Sequence, residues 1–228
     1  MRLLGQWKFI VIAMVLFIIG GLASFISVIN DPLHLYSILP AEMAQGVNPE
    51  GLGEGHESID SSFMSAYIMT NNIQVAILAF AGGITFGLLT VYLLIYNGII
   101  VGALAGLFWN YENSYAFWAY IVPHGMIELT AIFIAGGAGL LMGYKLFVPG
   151  RYSRIYQLKE QAKRSVLLLL GTIPLFIIAG IIEGFITPAA LSLEAKYVVA
   201  IITVIGLIAY ILFGKFLLER RNNSYNKF

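Results

Sequence analysis

Residues 148–164 read VPGRYSRIYQLKEQAKR and lie between two runs of almost wholly apolar side chains. The segment carries Arg151, Arg154, Lys159, Lys163 and Arg164 against a single acid, Glu160. The flanking runs, 122–146 and 165–187, each reach the roughly 20 apolar residues that a helix needs to cross a hydrocarbon core. A short basic connection between two such runs belongs on the cytoplasmic side by the positive-inside rule. This one segment therefore sets both the class of the fold and the direction in which every other helix is read.

Working outward, the whole chain agrees. Its 228 residues are 59% hydrophobic and 11% charged, with mean hydropathy +0.85. A soluble domain would carry about a quarter charged residues. A net charge of +1 gives no reason to expect nucleic acid, and the absence of cysteine excludes disulfides and thiolate metal sites. The apolar runs predict spans at about 7–29, 72–96, 98–111, 122–146, 165–187 and 197–215, with an outer loop at 30–71 and a cytoplasmic basic loop at 147–164. The first run is too long for a signal-peptide core and reads as an uncleaved anchor. A "YNG" turn at Tyr96–Gly98 separates the second run from the third. The third is short, and reads either as a short crossing or as a re-entrant hairpin. With this count, 12 of the 13 basic residues share one side and only Lys196 is opposite. The expectation is one all-α polytopic transmembrane bundle of about six spans. Both termini are cytoplasmic, and the protein is multi-pass in the bacterial cytoplasmic membrane.

Small residues recur at helical spacing. Gly83 and Gly87, then Gly98, Gly102 and Gly106, then Gly139 and Gly143 form GxxxG patterns. In lipid such patterns let helix backbones approach closely, so they predict tight packing within one subunit or between two, ahead of a glycine-lined path. Pro174 lies inside the fifth run and predicts a kink.

Three ionisable side chains fall within the apolar spans: His124, Glu128 and Glu183. Intramembrane charges are costly and mark functional sites by default. In PHGMIEL (123–129), Pro123 suits a first helical turn, and His124 and Glu128 share one face at i and i+4. The topology brings them to the outer level of Glu183, Thr187, Asn71, Asn72 and Gln74. The expectation is an outward-facing polar pocket, with a hydrogen-bonded structural cluster as the plainer reading. No catalytic residue is assigned: neither H-E-x-x-H nor G-x-S-x-G occurs. No cofactor is expected, unless His124, Glu128 and Glu183 supply one imidazole and two carboxylates to a divalent metal.

Five stretches together resemble the stage II sporulation protein M family. They are NNIQVAILAFAGGITFG (71–87), LIYNGIIVGALAG (94–106), PHGMIEL (123–129), AGGAGL (135–140) and EGFITP (183–188). The resemblance covers about 66–188, and PHGMIEL is similar to a broader branch that also occurs outside sporulating bacteria. It implies a membrane scaffold that recruits peptidoglycan-degrading partners, and the pocket residues are those the family motifs contain. The leading expectation is a non-enzymatic organiser of an envelope assembly. Its partners would be membrane lipids, cell-wall-remodelling proteins and a second copy of the chain. The alternatives are a channel or transporter for an ion or small solute, and a metal-dependent intramembrane hydrolase.

Overall fold

A computed structural model describes residues 2–39, 47, 49 and 72–225. Among these residues there is helix and no strand. The elements are α1 (Arg2–Asn30), the short α2 (His34–Ile38), α3 (Asn72–Thr85), α4 (Leu88–Asn110), α5 (Ser114–Phe147), α6 (Arg154–Ile181) and α7 (Leu193–Tyr225). Five stretches are long and apolar enough to cross a membrane: Trp7–Asn30, Leu88–Asn110, Ser114–Phe147, Leu169–Ile186 and Leu193–Gly214. The all-α polytopic bundle is therefore the observed architecture.

The helix ends can be assigned by their contacts. Phe9 of α1 meets Tyr144 of α5, and Phe86 meets Phe147, with ring centroids 5.7 and 5.0 Å apart. These contacts lie at the end of the bundle that carries the basic loop. At the far end, Tyr115 of α5 meets Tyr197 of α7 at 4.9 Å, and Asn110 Nδ2 donates to Val28 O at 2.9 Å. So α1, α4 and α6 run away from the basic loop, while α3, α5 and α7 run towards it.

The break between α3 and α4 differs from the sequence expectation. It falls at Phe86–Gly87, not at Tyr96–Gly98, which lies inside α4. Phe86 and Gly87 both take positive φ, 57° and 83°. Glycine adopts that conformation freely, whereas Phe86 is held there while its ring packs on Phe147. Thr85 closes the turn from both sides. Its Oγ1 donates to Gly82 O at 2.6 Å and accepts from Leu89 N at 3.0 Å. The run from 98 onward is consequently the second half of a full-length helix, α4. Asn97, read as a turn residue, bonds back to Leu93 O one turn earlier at 2.7 Å.

The glycines explain why Gly98 is needed in mid-helix. A Cβ on Gly98 would strike Phe17 O, one on Gly102 would strike Gly21 O and Ser24 Oγ, and one on Gly106 would crowd Phe25 O and Val28. α1 and α4 thus run parallel in backbone contact, with Ser24 Oγ 2.8 Å from Ile99 O across the seam. The same device seats α3 on α5: a Cβ on Gly83 would meet Gly139 O, and one on Gly143 would meet Gly87 N. All of these contacts are within one chain.

Two further boundaries differ. α5 begins at Ser114, so Pro123 is inside it and fully buried rather than in a first turn. The aromatic stretch before Pro123 is continuous with the span, because in an apolar setting the helix continues past one missing backbone bond. The basic loop is shorter than 147–164. Ser153 Oγ accepts from Tyr156 N at 3.2 Å and caps α6, and Gln157 Nε2 donates to Pro149 O at 2.8 Å. Most of the loop's charges therefore ride on the first turns of a helix. Pro174 lies within α6, as expected.

α5 is the centre of the bundle. Its Ala131, Ile132 and Ala135 pack with Ala76, Leu94, Leu175, Phe176 and Ala179 in one core. α7 is the opposite case, with Ile201, Ile202, Ile205, Ile208 and Ile211 all exposed in the manner of a lipid-facing helix.

Candidate functional site

The polar groups of α5 lie on its buried face. His124 and Glu128 are one turn apart, 6% and 8% exposed. Tyr120, one turn before His124, continues the same face and is also buried. Glu128 is about 21 Å along α5 from Ser114 and about 28 Å from Phe147, at a rise of 1.5 Å per residue. The cluster therefore lies in the half of the bundle away from the basic loop.

α6 delivers Glu183 to this point. Its regular winding ends at Ile181 and a single π-helical turn follows, Ile182–Ile186. Such turns change the facing of side chains within an otherwise α-helical path and are frequent at functional sites. Here the turn presents Glu183 to α5. Glu183 Oε2 is 2.5 Å from His124 Nδ1 and accepts from Thr187 Oγ1 at 3.2 Å.

α7 supplies a residue that the sequence reading left aside. Lys196, the one basic residue opposite all the others, is 0% exposed. Its ammonium donates to Thr187 O and lies 3.6 Å from the centroid of the Tyr120 ring. A desolvated cation over an aromatic face is a stabilising arrangement, and the Glu183 charge adds to it. Tyr120 and Lys196 were both missed. The signals were there: Tyr120 is four residues before His124, and Lys196 breaks an otherwise complete charge asymmetry.

α3 completes the group. Asn72 lies on that helix, and its side-chain amide is a hydrogen-bond neighbour of Glu128. Glu128 Oε1 is buried without a hydrogen-bond partner among the described residues. Of the other expected pocket residues, Thr187 is brought in, Gln74 is exposed on α3, and Asn71 lies outside the described residues. Among the described residues no three His, Asp or Glu side chains are grouped so as to hold a metal. His124 and Glu183 meet each other head-on.

The site thus gathers one imidazole, two carboxylates and one ammonium from three helices, with an amide from a fourth. The SpoIIM family model, described as stage II sporulation protein M, matches residues 13–188.

The chain belongs to the SpoIIM family.

The matched range runs from α1 through Glu183, Thr187 and Pro188 and stops short of Lys196. Among SpoIIM-like relatives, "Uncharacterized protein MJ0793" of Methanocaldococcus jannaschii is 34% identical over 181 residues, 78% of this chain and 93% of that protein. "Uncharacterized protein MJ0706" of the same archaeon is 30% identical over 128 residues, 53% and 54% of the two chains. No solved structure matches.

Proposed function

We propose that this SpoIIM-family membrane protein is a carrier or channel for a small ion or solute, acting in a prokaryotic cytoplasmic membrane. The observation that carries the reading is the gathering of buried His124, Glu128 and Lys196 around the partly buried Glu183 inside the spanning region. Four ionisable groups are a costly way to join helices, and intramembrane charges facing a bundle interior mark substrate or ion paths. A broken helix supports the same reading: α6 ends in a π turn at the site. Irregular backbone at membrane depth is tolerated where it is buried in protein or lines a cavity. The positive-inside rule orients the site towards the outer face. The archaeal relatives widen the setting beyond the bacterial envelope.

The test is flux. Purified protein in liposomes should move an ion or small solute, and Glu183→Gln should reduce the rate at least tenfold while circular dichroism and gel filtration stay unchanged. Equal rates in the two proteins would overturn the reading. Orientation is checked separately: a cysteine at Glu194 should react with an impermeant reagent from outside, and one at Lys159 should not.

A second reading, an envelope scaffold, is what the resemblance to the stage II sporulation protein M family implies. In that case charge reversals in the basic loop or in 30–71 should abolish partner capture, and Glu183→Gln should leave it intact.

A further inference from the structure

We propose that Glu128 is a proton-binding group of this site, taking up one proton from water and returning it, with no other covalent change. The proposal rests on the carrier reading and names the coupling species.

The partners of the two carboxylates are unequal. Glu183 is engaged three ways: by His124 Nδ1 at 2.5 Å, by Thr187 Oγ1 at 3.2 Å, and by the charge of Lys196. Glu128 has the uncharged Asn72 amide on one side and a buried, partnerless Oε1 among the described residues. The groups facing it are His124 from α5, Glu183 from the π turn and Asn72 from α3, with Lys196 from α7 and Tyr120 from α5 lying beyond Glu183 at Thr187. Two cations, His124 when protonated and Lys196, balance two carboxylates. When His124 gives up its proton the cluster is one positive charge short, and the carboxylate without a close cationic partner is Glu128.

A bare carboxylate oxygen in an apolar wall is strongly disfavoured. Three things could satisfy it: a proton, a metal cation or a second hydrogen-bond donor. A hard metal cation needs several oxygen ligands, and no group of three acidic or histidine side chains is offered among the described residues. A proton needs one oxygen. The position of Glu128, one turn deeper than His124 on the same face, places it behind the His124–Glu183 contact. Proton occupancy at Glu128 is then linked to the charge state of His124, and through it to the contact that joins α5 to the π turn.

The experiment is infrared difference spectroscopy on the full chain in lipid vesicles, stepping pH in water and in heavy water. The expected result is a titrating band of a protonated carboxyl group that shifts on deuteration. That band should be lost in Glu128→Gln, should move in Glu128→Asp, and should persist at an altered midpoint in Glu183→Gln. A wild-type protein without such a band, or a Glu128→Gln protein that retains it, overturns the proposal. If Glu128→Gln fails to fold, Glu128→Asp decides: an unmoved band assigns it elsewhere. Flux separates the two readings. A band that vanishes with Glu128 in a protein that carries nothing removes the carrier reading alone. Flux without the band removes the proton site alone.

Discussion

The α1–α4 seam and the α5–α6–α7 junction solve the same problem in opposite ways. The seam joins two parallel helices by glycines set against backbone carbonyls, with Ser24 as its polar cross-link. The junction joins three helices through His124, Glu183, Thr187, Lys196 and Tyr120. Lipid tails are as apolar as the side chains they touch, so helices associate by close packing rather than by escape from water. The seam uses that route at little cost. The junction carries charges whose desolvation can exceed what their pairing returns. A bundle that needed only to stay assembled could have used a second seam. The difference teaches that packing alone does not account for the charges at the junction.

The largest effect expected from breaking the comparison is at the junction. Glu183→Ala leaves His124 and Lys196 buried without their shared anion and should destabilise by about 3 kcal/mol, the lower end for an orphaned buried charge. Unfolding in a detergent titration measures it. At the seam, Gly102→Ala drives a methyl into Gly21 O and Ser24 Oγ and should cost about 2 kcal/mol as overpacking. Its control is Gly206→Ala on α7, where nothing lies within 4 Å and the change should stay within about 0.5 kcal/mol. The smallest effect expected within the site sharpens the contrast by its sign. Glu128→Met removes the oxygen that has no partner among the described residues and should stabilise by about 1 kcal/mol while abolishing flux. A loss of stability there would recast the junction as structural.

Much of this was legible beforehand. Span chemistry, the alternation of helix directions, and the convergence of His124, Glu128, Glu183 and Thr187 all follow from hydropathy and charge. The errors came from residues that local rules interpret in only one way. Gly98 reads as a turn because glycine favours turns, yet here it is needed because α1 presses on α4. Pro123 reads as a helix start, yet the surrounding apolar contacts carry α5 through it. Lys196 reads only as the exception to the charge asymmetry, yet Tyr120 and Thr187 give it a buried place.

By itself the sequence determined that this is an all-α membrane bundle, which way its helices alternate, and that a few ionisable groups lie within it. Those are one-dimensional facts, written in apolar length and in the side on which charges fall. Only the tertiary structure decided which glycines are seams and where α4 begins. It alone showed that Lys196 belongs to the site and that Glu128 has a buried oxygen without a partner among the described residues. Each of these depends on what a neighbouring helix places against a residue, and distance along the chain does not carry that information.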